Sequence, residues 1–374
     1  MSLQWAKAPP LTITQTVNNT TPAPTFTWAN PFQGQPLVAA NPNPGHPCAG
    51  TNLVLNTCVT PNVYTAPTQL QHTYIQQWNF AVQTQLQNNL SLNVAYVGNK
   101  TTHQQLISVP DNVPNPGPGA IQARRPYPQW SQLYMGETNG YGSYDALQLT
   151  LERRFAGGFQ MLGSYSYSRC MDVGSNQNGP ITVAFLNQNY GPCDYNMKHN
   201  LTVSSVYELP FGRGRQFMSN ANGIIDGILG GWGVAGILTA RSGLPFTPVI
   251  SGDTANTGVG NQHPVVVGDP SVSNPTPSAW FNVNAFAISA RYTYGNSGRN
   301  ILLSDGLQQL DVTLRKNFQI KEWSNLEFRA EAFNLLNHPT FSAPNSTIGS
   351  SSAGIVTTTP NSNRILQFAL KLTF

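Results

Sequence analysis

The chain has 374 residues, and only 9% of them are charged, with Asn, Gln, Ser and Thr standing where an ordinary soluble domain carries about 25% Asp, Glu, Lys and Arg. A hydrophobic fraction of 40% and an aromatic fraction of 10% exclude a disordered chain. A net charge of +4, with no basic cluster beyond Arg124 with Arg125 and Arg213 with Arg215, argues against nucleic acid as a partner. No run of about 18 apolar residues is present, so no membrane helix is expected; residues 227–240 come nearest and are broken by five glycines. Met1 to Pro10 lack a basic region followed by an apolar stretch, so no signal peptide is read in the sequence.

In chain order, a weak strand is predicted near Leu11–Val17, and a long connection over residues 30–70 follows it. Residues 72–87 then alternate, with Trp78, Phe80, Val82 and Leu86 against Gln77, Asn79, Gln83 and Gln85, the two-residue period of a strand with one apolar face. Further strands fit residues 91–100, 131–155, 159–170, 199–211 and 231–250. In 307–320, Leu310, Val312, Leu314, Phe318 and Ile320 oppose Gln309, Asp311, Thr313, Arg315, Asn317 and Gln319. In 324–337, Leu326, Phe328, Ala330 and Ala332 oppose Glu327, Arg329 and Glu331. The chain ends on Leu366, Phe368, Leu370, Leu372 and Phe374, set against Gln367, Ala369, Lys371 and Thr373. About ten strands result, each long enough to cross a bilayer at the roughly 9 to 11 residues that a tilted strand needs.

The connections alternate in length. Short turns are expected at Asn88–Leu90, Ala156–Gly158 and Lys321–Ser324, with a moderate one from Gly212 to Gly230; long segments cover 30–70, 101–130, 171–198, 252–306 and 338–363. Short turns on one rim and long loops on the other are the pattern of outer-membrane barrels. It holds here provided that 131–155 is a single descending strand and not a hairpin at Thr138–Tyr144. A soluble sandwich alternates too, but its wet face is usually rich in Lys and Glu, whereas this one is mostly amide and hydroxyl. The expected fold class is therefore all-β, an antiparallel transmembrane β-barrel. Tyr74, Tyr96, Phe155, Phe159, Tyr207, Phe211, Trp232, Phe246, Phe318 and Trp323 fall near strand ends, where they would form interfacial girdles or ordinary cross-strand packing.

Few residues point to chemistry. Gly231, Gly233 and Gly236 match a nucleotide-binding spacing, but no helix follows before Pro245, so they read as glycines thinning a strand. The six histidines are scattered, so no metal or cofactor is expected. His199, Asp194 and Ser168 come near one another at the predicted outer rim without a fixed nucleophile–base geometry, and no enzyme is read from them. Asp311, Arg315, Glu327, Arg329 and Glu331 are expected to face the lumen from adjacent strands, where they would pair with each other or with a domain inside the barrel, or take a direct part in gating. The cysteines fall into two local pairs, Cys48 with Cys58 and Cys170 with Cys193, which are either two loop-stapling disulfides or four unrelated thiols.

The stretches NVAYVGNKTTH (93–103), GSYDALQLTLERRFAGGFQMLGSYSYSR (142–169) and HNLTVSSVYELPFGRGRQF (199–217) resemble the C-terminal barrel of TonB-dependent receptors. So do LGGWGVAGILTARSGLPFTP (229–248), YGNSGRNILLSDGLQQLDVTLRKNFQI (294–320) and LEFRAEAFNLLNHPTF (326–341). The subgroup most similar has an N-terminal carboxypeptidase-regulatory-like domain and is abundant in acidobacteria. The resemblance implies a barrel of 22 strands in the outer membrane of a Gram-negative bacterium, filled by an N-terminal plug and energised through TonB. It also implies import of an extracellular ligand such as an oligosaccharide, peptide or metal complex. Against it, this sequence is read as one partial barrel domain: residues 1–70 hold the weak strand and a long outer loop, 71–374 hold about nine strands, and neither plug nor TonB segment is found. Phe374, after Leu370 and Leu372, is similar to the signal by which the barrel-assembly machinery recognises its clients. A surface-exposed, β-rich adhesion protein that binds without transport is the other reading left open.

Overall fold

Alternation in the sequence becomes register in space. The computed structural model describes residues 11–14, 62–65, 71–128, 131–175, 187–321, 324–360 and 363–374. Its main body is an antiparallel meander of nine long strands: β1 (Tyr74–Gln87), β2 (Leu90–Pro110), β3 (Leu133–Ala156), β4 (Phe159–Asp172), β5 (His199–Glu208), β6 (Trp232–Arg241), β7 (Leu307–Lys321), β8 (Ser324–Phe333) and β9 (Ile365–Thr373). Each pairs with the next in chain order. Among the described residues β1 pairs only with β2 and β9 only with β8, so the sheet is open and these two are its edges.

Cross-strand partners share a face, and the rows they form are chemically uniform. Gln83, Asn93, Thr150, Ser164, Thr202, Thr239 and Gln309 make one row across seven strands. On the opposite face Val82, Val94, Leu149, Tyr165, Leu201 and Ala240 make another. Phe159, Tyr207, Val234, Leu314, Ala330 and Phe368 make a third, on the same apolar side. Large side chains on this face, Phe80, Phe368 and Leu370 among them, are exposed over more than half of their surface. So large an exposed apolar surface needs a non-aqueous covering.

Several strand limits differ from expectation for identifiable reasons. The hairpin at Thr138–Tyr144 does not form, and β3 runs unbroken through 24 residues. β2 continues ten residues past 100 because β3 offers it an edge that far; the ladder slips at His103, whose φ of 55° makes a bulge. β5 stops at Glu208, before Pro210, and β6 stops at Arg241 rather than 250, because Pro245 and Pro248 lack the N–H that a central strand must donate. β8 ends at Phe333, where Asn334 and Asn337 take positive φ and the Asn334 side chain closes a turn on His338. The weak strand expected near Leu11–Val17 is found at Leu11–Thr14; its partner Asn62–Thr65, inside the connection expected over 30–70, lies parallel to Leu133–Met135.

The short connections gather at one rim: two residues between β1 and β2, Gly157 and Gly158 at positive φ between β3 and β4, and the place where Lys321 at the end of β7 pairs with Ser324 at the start of β8. The described parts of the long ones gather at the other rim in a layer with its own hydrophobic core: Ile250, Phe281, Ala285, Phe286, Leu302 and Ile348, with Phe246 and Trp280 against it. Phe246 is therefore no girdle residue; its ring lies 6.0 Å from that of Phe281. Beside this core, the buried Arg299 guanidinium fastens the 252–306 segment to the neighbouring loop. It donates to the Asn189 carbonyl (3.0 Å), the Asp172 carbonyl (2.9 Å) and Asp194 Oδ1 (2.8 Å), and forms an ion pair with buried Asp172 Oδ1. Ser175 Oγ holds the other Asp172 oxygen at 2.8 Å. Cys170 and Cys193 form a disulfide across the same loop; a closure of this size contributes about 3 kcal/mol in the chain-entropy account. Cys48 and Cys58 lie outside the described residues.

Two outcomes follow. Arg299→Leu leaves the Asp172 carboxylate buried without its cation, an effect of order 3–5 kcal/mol; Asp194, half-exposed, adds little to this. Hydrogen exchange should accelerate about a hundredfold in residues 187–198 and 295–303 while β5 to β8 keep their protection, and unchanged loop protection would refute the role. His263 is buried with Nδ1 donating to the Ser297 carbonyl at 2.7 Å; burial, aided by Arg299, holds its pKa below the ordinary 6.5. The unfolded loop thus takes up a proton first as pH falls through the ordinary imidazole range, so the layer loses stability below that range and regains it above. His263→Gln should flatten that acid-induced loosening in the same exchange measurement.

Candidate functional site

Two places on this scaffold concentrate polar chemistry. The first is the polar face of β5 to β8 towards the short-turn rim. Glu208, Gly233, Arg315 and Arg329 lie in one cross-strand row. Gly233 is what lets the row interact, since a Cβ there would come within 2.6 Å of Arg315 Nε. Across that gap Arg315 reaches Glu208 Oε1 at 3.3 Å, and Arg215, from the connection after β5, takes the other oxygen at 3.0 Å. Arg329 bonds Glu327 on its own strand at 2.5 Å. Asp311 accepts from Gln309 Nε2 at 3.0 Å and from the Asn334 backbone N–H at 2.8 Å. Glu331 stands opposite Thr313 and Gln367. Of the five predicted charges, then, Glu327 and Arg329 are joined to each other, Arg315 turns instead to Glu208, and Asp311 caps the end of β8. Glu208 was legible only as a polar-face position of its strand; its partnership required the three-strand register. These ion pairs are partly solvated and each contributes about 0–1 kcal/mol, so stability alone does not account for the charges.

The second place is the loop layer. Asp253 there accepts from the backbone N–H groups of Thr257 (2.7 Å) and Gly258 (2.5 Å) and from Gln262 Nε2 (2.5 Å). This folds residues 253–262 into a compact turn with a cavity on either side. One, of about 540 Å³, is lined by Gly119, Thr254, Asn256, Ser289, Arg291 and Tyr292 together with Asp253. The other, of about 570 Å³, runs from Val249 to Asp253 and along Gly258–Asn261 to Thr347. The first wall is fixed: Asn256 Nδ2 donates to the carbonyls of Gly117 (2.8 Å) and Gly119 (2.9 Å), just before the short helix α1 (Ile121–Arg124), and Thr254 Oγ1 lies 2.7 Å from Ser289 Oγ. Arg291, stacked 5.0 Å over the Tyr292 ring, presents an exposed cation. Nearby Tyr294 is held above its ordinary pKa by burial, despite donating to Thr257 Oγ1, and stays a neutral phenol. Both cavities are open; the first is lined mainly by polar groups and suits a hydrophilic ligand, while the second has Val249, Ile250 and Val259 in its wall as well.

His199, Asp194 and Ser168 do not assemble a catalytic group. Ser168 Oγ donates to the Met197 carbonyl (2.8 Å), His199 Nδ1 bonds Tyr165 Oη (2.8 Å), and Asp194 is bound by Arg299. Among the described residues no group of three or more His, Cys, Asp or Glu is placed to hold a metal. Of the aromatics near strand ends, Phe159 packs edge-on to Tyr207 at 6.0 Å and Tyr96 Oη donates to Asp145 at 2.7 Å, both on the apolar face. Phe211 packs with Phe217 in the β5–β6 connection, and Trp323 lies outside the described residues. Leu370 and Leu372 pair with Phe328 and Leu326, and Phe374 stands exposed just past the last paired residue.

No curated protein matches the chain. Among solved structures it is similar to the outer membrane transporter YddB from Escherichia coli, at TM-score 0.45 and 12% identity over 84% of this chain and 34% of that one. It is also similar to BauA, the ferric preacinetobactin receptor from Acinetobacter baumannii, at TM-score 0.41 and 10% identity over 80% and 29%, and to the FrpB iron transporter from Neisseria meningitidis, at TM-score 0.41 and 10% identity over 83% and 33%. The chain thus spans a third or less of the length of FrpB and BauA and 34% of YddB. A family model for the outer membrane beta barrel domain matches residues 1–367. With nearly its whole length matched and its strands two-faced throughout, the chain belongs to the outer membrane β-barrel domain family, proteins of the Gram-negative outer membrane.

Proposed function

We propose that the chain is the C-terminal portion of the barrel of a TonB-dependent receptor, a non-enzymatic importer of a hydrophilic ligand such as an oligosaccharide, peptide or metal complex. The observation that carries this reading is the pairing of a charged polar face inside the sheet with a rigid, cavity-bearing loop layer on one rim. A closed 22-strand barrel formed with further strands of a longer chain would pair the open edges of β1 and β9, whose backbone groups cannot stay unsatisfied in lipid. Its lumen would be lined by the amide rows, and an N-terminal plug would rest against Glu208, Asp311, Arg315, Glu327, Arg329 and Glu331. The acidobacterial subgroup with a carboxypeptidase-regulatory-like domain is the relative that the sequence favours. Leu370, Leu372 and Phe374 would be read by the barrel-assembly machinery during insertion.

The full-length receptor provides the test. Cells carrying it should accumulate at least one of a panel of labelled ferric complexes, oligosaccharides and peptides, and lose that uptake when TonB is deleted; TonB-independent retention at the surface would instead indicate an adhesin. With the same ligand, Arg291→Ala should weaken binding about tenfold, the loss of one charge-assisted contact, because Arg291 is exposed in the cavity wall and its removal leaves the turn at Asp253 intact. Reversal of lumen charge is a separate check. Glu331→Arg should disturb plug seating and raise permeability to large hydrophilic antibiotics, whereas permeability equal to the parent's would count against a plug contact there.

A further inference from the structure

The 23-residue gap between β5 and β6 is the long member of the short-turn rim, and barrel closure makes no demand on it. It holds helix α2 (Gly223–Leu229), capped by Asn222, whose side chain accepts from the Ile225 backbone N–H at 2.9 Å. Ile224, Ile225, Ile228 and Leu229 are all exposed, Ile224 at 76% and Ile228 at 63%. At about 3.6 residues per turn they fall within one arc of about 140°, opposite Gly223, whose added Cβ would meet open space. On a helix of seven residues, four exposed branched side chains on one side are far more than solubility tolerates.

What seats this helix says what covers it. Its last carbonyls are satisfied from the apolar face of the sheet. Trp232 Nε1 donates to the Ile228 carbonyl at 2.9 Å, and Lys316 Nζ donates to Ile228 at 3.2 Å and to Gly230. Trp232 and Lys316 are cross-strand partners in the row that continues to Phe328 and Leu370. Lys316, a cation on the β7 apolar face, is 2% exposed, with its ammonium 5.2 Å from the Trp232 ring centre and 5.0 Å from that of Phe318. The helix therefore hangs on the outside of the sheet at its short-turn rim, and its apolar arc continues the surface that the membrane already covers. Arg213 adds an exposed cation beside it.

We infer that α2 is an interfacial anchor, with Ile224, Ile225, Ile228 and Leu229 sunk among the headgroups and first acyl carbons of the phospholipid leaflet on the periplasmic side, and Lys316 locking it to the barrel wall. Interfacial helices bury their apolar side about 5–10 Å into that zone, the depth at which Trp and Lys also sit. The test uses the whole protein in isolated outer membranes, with an environment-sensitive dye on Ile228→Cys and, separately, on Gly223→Cys. Both positions are exposed, so neither label disturbs packing. A nitroxide carried near the lipid headgroup should quench the label at 228 about twofold more than one carried at the chain end, while aqueous iodide should quench the label at 223. Iodide quenching both labels alike would overturn the inference, as would shielding at 228 from lipid nitroxides and iodide together, the signature of a second copy or another protein on that face.

Discussion

Inside hydrocarbon no water replaces a missing hydrogen-bond partner, so each backbone N–H and C=O of a spanning segment must be paired within the protein. Most of what is regular in this chain follows from that constraint. Nine strands run next to their neighbours in chain order because a meander pairs each new strand at once. Among the described residues, proline is confined to the loop layer, the connections and the strand ends. Side chains, freed from making a core between two sheets, sort instead by solvent: grease on one face, amides and hydroxyls on the other.

The usual location of a hydrophobic core is thereby inverted. Among the described residues, the main buried apolar cluster lies in the loops, where Ile250, Phe281, Phe286 and Leu302 come from the connection between β6 and β7 and Ile348 from that between β8 and β9. Loops of this length would be mobile if they bridged water alone. Here a small core, the Arg299–Asp172 pair and the Cys170–Cys193 disulfide give them a shape, and a cavity on either side of the turn at Asp253 is the consequence. The walls of a candidate binding site are thus set by interactions separate from those that hold the sheet.

Charge is used sparingly and by position. Lys316 on the apolar face is tolerated because its ammonium reaches helix carbonyls and two aromatic rings at the rim. Arg315 and Arg329, neighbours in register, would repel each other if Glu208 and Glu327 did not share the row and its flank. Neither arrangement reads as a motif, because each joins residues from three or more elements.

By itself the sequence determined the strands and their two faces. A two-residue period is local, and a slip of one residue would turn every Leu of Leu366–Leu372 to the wrong solvent. The short-turn rim was legible for the same reason, from Asn, Gly and Ser at fixed offsets. Strand ends were less so: the extension of β2 to Pro110 depends on Met135 and Tyr134, which pair with Val109 and Pro110 from the next strand, and nothing local announces it. Of the candidate sites, the sequence showed five charges of the polar face but not their partners, and in the loops it singled out no individual residue. Only the tertiary structure decided that Arg299 would meet Asp172, that Gly233 would open a path from Arg315 to Glu208, and that Phe246 would leave the girdle for the loop core. Those contacts bring together residues separated by up to 127 positions, and the choice among possible partners at such distances is made by packing, which no local pattern encodes.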